Sequence, residues 1–283
     1  MAGHPNTGYS SITGLGRNLD PGLTSNRIAV GGGVVAFVVM AGLSFVRDDL
    51  TLIGAVFAAV AVFLGWALGR ELEPDLPSMA TVSMVISLIF TVFVVPSAIA
   101  VGIALIAIRL VAGTVGASLK AFDIPVLVGV GFLAASDPAL WIVGLAAGAW
   151  VWAAPEVGPL RRITAVAYGI SVVAGLGLAA WRFWGTGDLS FDVTQTAYVL
   201  AAAAGAAMLV SARRIQVSSL CDAGDAAIDR ERVRLARVTV GSILMWAAMV
   251  GGVDAFWSLG PVFAALLTAA VYRVFVHPAS VPT

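Results

Sequence analysis

Charge is what this chain has least of. Only 11% of its 283 residues are charged, against 60% hydrophobic, whereas soluble globular chains carry roughly 25% charged residues. A water-soluble domain has no way to bury so much apolar side chain, so the composition predicts an integral membrane protein. The few charges also cancel, 16 basic against 16 acidic. Without a cationic excess there is no surface for nucleic acid. Lysine is nearly missing: Lys120 is the only one, and every other basic residue is arginine, a bias that codon usage alone would produce. A lone lysine in a loop excludes a retinal-type Schiff base in the last span. The single cysteine, Cys221, excludes an internal disulfide. His4 and His277 lie near the termini, so no span carries a haem or a histidine metal site. There is no Walker A sequence, no nucleophile elbow and no Cys-x-x-Cys, which argues against ATP-driven work by this chain alone.

What the chain does have is a succession of apolar stretches. Residues 1–27 are polar and rich in Gly, Ser and Asn; with no apolar core near Met1 they read as a short unstructured cytosolic tail rather than a cleavable signal peptide. Crossing about 30 Å of hydrocarbon takes ~20 residues of helix. The candidates are Ile28–Val46, Thr51–Gly69, Met79–Val95, Ser97–Ser118, Thr164–Trp181, Thr194–Ala212, Val238–Ser258 and Pro261–Val276. Two shorter stretches, Pro125–Ala135 and Ala139–Ala154, are broken at Ser136-Asp137-Pro138. Counting both gives an all-α polytopic bundle of about ten spans. Eleven helical residues rise only about 16 Å, so the alternative is eight spans plus a re-entrant hairpin over 124–154. Either way the expected transmembrane domain covers 28–276, with a charged cytosolic loop at 213–237 and a short cytosolic tail at 277–283.

The basic residues fix the direction. With the N-terminus in the cytosol, Arg17, Arg27, Arg70, Lys120, Arg161, Arg162, Arg213, Arg214, Arg230, Arg232, Arg234, Arg237 and Arg273 all fall inside, and only Arg47 and Arg182 outside. That is the distribution of a plasma-membrane protein with both termini cytosolic. The small-residue pairs Gly65-xxx-Gly69 and Gly144-xxx-Gly148 predict close helix packing. Trp141, Trp181, Trp184, Trp246 and Trp257 lie mostly near span ends, as interfacial aromatics do.

Three sets of residues are candidates for chemistry. Arg109 falls near the middle of Ser97–Ser118, where a cation costs at least ~2.5 kcal/mol to insert. It is expected to meet an anionic solute or a gating partner, or to anchor itself on backbone carbonyls. Asp254 is the one acid inside an expected span, four residues from its outer end; it lines a pathway or reaches the interface. Asp137, followed by Pro138, is a helix cap that would also face a substrate if 124–154 is re-entrant. Asp123, with Pro125, caps the preceding segment.

The third set lies in the 213–237 loop. Asp222, Asp225 and Asp229 are spaced i, i+3 and i+7, which puts three carboxylates on one helical face, able to grip Mg²⁺ and a diphosphate. The spacing resembles the first acidic motif of UbiA-type membrane prenyltransferases, Asn-Asp-xx-Asp-xxx-Asp, with Cys221 where that family has asparagine. The resemblance implies an Mg²⁺-dependent enzyme acting on an isoprenoid or lipid diphosphate, with Glu71, Glu73 and Asp75 as a second acidic cluster. The bland reading is a solvated helix start, with Arg230, Arg232, Arg234 and Arg237 meeting lipid headgroups.

The outline, ten helices in under 300 residues with short loops, is similar to that of small drug/metabolite-type secondary transporters, which have two inverted five-helix halves. The leading expectation is a secondary carrier or permease for a small solute, anionic ones included, with Arg109, Asp254 and Asp137 along its path and no cofactor. The alternatives are an accessory or assembly subunit of a larger membrane complex and the Mg²⁺ enzyme. The expected partners are the lipid bilayer and a small solute; self-association or assembly with other chains is open.

Overall fold

The computed structural model describes Leu19, residues 21–115, 120–136, 194–213, 217–221 and 227–275, and six isolated helical positions between 144 and 180. These residues form eight helices: α1 (Thr24–Leu43), α2 (Leu52–Leu72), α3 (Pro77–Phe93), α4 (Ala98–Ala112), α5 (Asp123–Ser136), α6 (Gln195–Ser211), α7 (Arg230–Ser258) and α8 (Gly260–Phe275). Among the described residues there is no strand, only an isolated antiparallel bridge between Leu220 and Ala227. Helices α1, α2 and α7 are long and apolar enough to cross a membrane, and the other five are shorter apolar helices. The fold is all-helical and compatible with a membrane bundle. Of the stretches Ala139–Ala154 and Thr164–Trp181, all but the isolated positions lie outside the described residues, as does Asp137.

Helix starts follow local chemistry. The side chains of Thr51, Ser97 and Thr194 accept hydrogen bonds from the backbone N–H of Gly54, Ala100 and Ala197, capping α2, α4 and α6. Proline opens α3 at Pro77, where its missing N–H leaves nothing unsatisfied. Asp123 begins α5 and accepts from the backbone N–H of Lys120 at 2.8 Å.

Successive helices run in alternating directions. At one end, Arg273 of α8 reaches Glu73, just past α2. At the other, the Ser97 N–H before α4 donates to the carbonyl of Ser258, the last residue of α7, at 3.0 Å. The arginines of α4, α7 and α8 gather at the first of these, the basic end. α2 and α8 lie centrally, with α1 and α3 to one side and α4, α6 and α7 to the other.

The Gly65/Gly69 pair packs as expected. A Cβ on Gly69 would lie 2.8 Å from the Cα of Ala80, and one on Gly65 would strike the Ser87 side chain, so α2 and α3 approach to near backbone contact. The hydroxyls along this seam are all used. Ser83 donates to the Gly65 carbonyl across the helices, and Ser87 and Thr91 donate to carbonyls one turn back on α3.

The surface is the reverse of a soluble protein's. Val34, Val38, Ile53, Val85 and Val199 are more than half exposed, while Glu71 and Arg237 are fully buried. Such an apolar exterior, over a mostly apolar core that also holds buried charges, suits lipid as solvent.

One expectation about depth is corrected. The stretch Ser97–Ser118 does not continue as one helix: Gly113 adopts the left-handed conformation (φ 65°, ψ 22°) and ends α4 at Ala112. Glycine takes that conformation without a Cβ clash and so terminates helices. Arg109 therefore stands in the last turn of α4 and not in the middle of a span.

Candidate functional site

The segment that leaves α2, Glu71-Leu72-Glu73-Pro74-Asp75, organises the basic end. Each of its acids answers a different part of the chain. Glu71, in the last turn of α2, receives the Arg109 Nε–H at 2.9 Å on one oxygen and the Thr114 hydroxyl on the other. The pair ties α2 to the end of the parallel helix α4. Glu73 stands between two guanidiniums, with Arg237 at 2.9 Å and Arg273 at 3.2 Å, and so joins α2 to α7 and α8. Asp75 accepts the backbone N–H groups of Ser218 and Ser219 and the Ser218 hydroxyl, docking the 217–221 segment. Burial would raise the Asp75 carboxyl, but these serine hydrogen bonds prevail and hold it below its ordinary value.

Two arginines of α7 complete the arrangement by reaching helix ends rather than headgroups. Arg237 is wholly buried; its guanidinium donates to the Leu72 carbonyl at 2.6 Å and to the Ser211 carbonyl at 2.6 Å. It thereby satisfies the last turns of α2 and α6 at once. Arg232 donates to the Leu110 and Val111 carbonyls, both at 2.9 Å, at the end of α4. Its guanidinium lies across Gly113, where a Cβ would come within 2.5 Å of a guanidinium nitrogen. Gly113 is thus required twice, for its backbone conformation and for the room it leaves. The last carbonyls of a helix have no partner within it and carry its negative dipole end. A planar guanidinium with five donors in a fixed fork can serve two such ends, for which a lysine ammonium, a compact point charge with three donors, is less well shaped. At the far end Arg47 repeats the pattern, donating to the Val92 carbonyl near the end of α3. Its hydrogen bond to Asp49 holds that carboxyl below its ordinary value. The bias toward arginine, which codon usage alone would explain, is put to structural use at these positions.

The sequence candidates separate accordingly. Arg109 and Glu71 come together, a pairing the sequence does not announce across 38 positions. Glu71, Glu73 and Asp75 point at three different elements, and their oxygens meet cations, a hydroxyl and amides. Asp229 is the N-cap of α7, accepting from the Glu231 N–H at 2.8 Å; Asp222 and Asp225 lie outside the described residues. Among the described residues no group of three His, Cys, Asp or Glu is placed to hold a metal. Cys221 donates weakly to the Gly113 carbonyl at 3.7 Å.

Asp254 lies toward the far end, exposed, in a different setting. Two residues before it, Gly252 breaks α7 with φ 72° and ψ −161°. Only glycine takes that conformation readily. The break turns the Gly252 peptide by about 120° from helical ψ, away from the axis. Beyond it, Phe256 and Trp257 of α7 meet Phe90 of α3 and Phe263 of α8, with ring centroids 5.1–6.0 Å apart. The residues that the sequence leaves unmarked are Arg232, Arg237 and Gly252. A signal for the first was present in Gly113 as a helix stop; nothing local marks Arg237, whose partners are up to 165 positions away. No protein family, curated protein or solved structure matches this chain.

Proposed function

We propose that this chain is a multi-pass carrier for a small solute in the cell membrane, with ten spans and with the basic end and both termini in the cytosol. The orientation rests on the arginine distribution, since basic loops stay on the cytosolic side. The observation that carries the transport reading is the break of α7 at Gly252 beside Asp254. Helix backbone interrupted at membrane depth is tolerated where it lines a cavity or a protein contact, and carriers place their sites at such breaks. In this reading Asp254 and the Gly252 break line the outer part of the path, and Asp137 continues it. Arg109 acts as half of the lock with Glu71 at the basic end instead of as a solute ligand at mid-bilayer.

The test is uptake into proteoliposomes of the purified chain from a panel of small organic acids, amines and sugars. Accumulation of one solute, abolished by Asp254→Asn at an unchanged unfolding temperature, supports the carrier. One observation favours a second reading, an assembly subunit without a site of its own: Arg109, Arg232, Arg237 and Arg273 are all engaged within the chain. No uptake, with a second protein recovered in fixed ratio from mild detergent, decides for that reading. The diphosphate enzyme needs Asp222, Asp225 and Asp229 around Mg²⁺; Asp225→Asn abolishing prenyl transfer is the result that would establish it.

A further inference from the structure

We propose that the last turns of α7, Val253–Ser258, form a separate gate that swings about Gly252 to open the far end of the bundle. Two halves of one helix are held by unlike means. The half before the break is pinned by Arg232 to the end of α4 and by Arg237 to the ends of α2 and α6. Directional, buried, charge-assisted bonds of this kind do not slide. Among the described residues the half after the break has no such bond. It meets them through the backbone bond from Ser97 to Ser258 and through the Phe90, Phe256, Trp257 and Phe263 rings. Rings in contact lose little by slipping past one another, because lipid is as apolar a surrounding as protein.

The break itself is the hinge. Gly251 and Gly252 are adjacent and partly or fully exposed, and Gly252 already occupies a conformation outside the helical region. Rotation there changes the direction of Val253–Ser258 without disturbing the arginine bonds below. The segment leads straight into Leu259 and α8, so a swing would open the seam between the aromatic rings of α3, α7 and α8 and uncover Ala255 and Phe256, which are now buried. Asp254 rides on the moving part. The gate rests on the carrier reading for its purpose but not for its existence.

The experiment uses the full chain in liposomes with Cys221→Ser and a membrane-impermeant maleimide added outside. Cysteine is placed on the gate at Ala255 or on the pinned half at Ala248; both positions are buried. The Ala255→Cys protein is expected to label at least about tenfold faster than the Ala248→Cys protein, the contrast of a locally opening segment with a fixed one. Adding the Ser97→Cys, Ser258→Cys pair and oxidising it should slow labelling at 255 to the rate at 248, and reduction should restore it. Equal rates at the two positions, or fast labelling in the oxidised protein, overturn the gate. Amide exchange on the unaltered chain gives a check free of substitutions: Val253–Ser258 exchanging no faster than Arg237–Ala248 also overturns it. If the gate opens and no solute is taken up, the carrier reading fails and the gate stands.

Discussion

At the basic end, Arg232 and Arg237 reach the closing carbonyls of α2, α4 and α6, and Glu71 and Glu73 answer Arg109, Arg237 and Arg273. At the far end, the rings of Phe90, Phe256, Trp257 and Phe263 meet edge to face, tilted or stacked, and in the ion pair between Arg47 and Asp49 the arginine is half-buried and the aspartate exposed. The first arrangement is directional: moving a helix by an ångström or two breaks bonds to buried charges. The second is held mainly by contact, with Arg47 on the Val92 carbonyl and the Ser97 N–H on the Ser258 carbonyl beside it. In water, burying four aromatic rings would be a strong force, but between helices in lipid most of that force is absent. The bundle is therefore fixed at one end and mainly packed at the other.

The sharpest way to break this comparison is Arg237→Ala. It leaves Glu73 buried with one cation fewer and unpairs the Leu72 and Ser211 carbonyls, so unfolding in detergent should become easier by about 3–5 kcal/mol. Arg237→Lys should recover only part of that, since one ammonium does not span the three acceptors. Next comes Phe256→Ala at the far end, expected to lower stability by about 1–3 kcal/mol through loss of two ring contacts. Should the two substitutions prove equal in the same denaturation experiment, the contrast between the ends disappears. Asp229→Ala, which removes only the cap of α7, should lower stability by about 1 kcal/mol and leave the high helicity of the fold intact by circular dichroism.

The smallest effect concerns the 217–221 segment and is read by pH. The Asp75 carboxyl is held below its ordinary value in the folded protein. Its contribution is therefore complete above the ordinary carboxylate range and is lost as pH falls through the lowered value. The protection of the Ser218 and Ser219 amides, measured as exchange relative to the intrinsic rate at each pH, should fall on acidification in the native chain and be low at every pH in Asp75→Asn. Insensitivity of those two amides to both changes would detach Asp75 from the docking of this segment.

Much of the fold was legible because it is local. Thr51, Ser97 and Thr194 stand at the starts of expected spans and cap the observed helices. The Gly65/Gly69 spacing announced a close contact, and alternating loop charge announced which helix ends share a face. The site was legible in its residue types and not in their pairing. Arg109 stands out as a cation in an apolar stretch, but its place in the last turn of α4 depends on Gly113 ending that helix. Arg237 looked like one more headgroup arginine. What buries it is the meeting of α2, α6 and α7, set by tertiary packing across 26 and 165 positions, beyond any pattern within a helix. The Gly252 break has the same character, since one more glycine among 31 carries no signal of its own.

The service that α7 performs for its neighbours bears on how the protein is made. Chain synthesis runs from the N-terminus, so α2, α4 and α6 are made before Arg232 and Arg237 leave the ribosome. Until then their closing carbonyls lack these partners. A polypeptide halted before residue 230 would hold three helices with open ends, and the quality-control proteases of the membrane would meet it as an unfinished product.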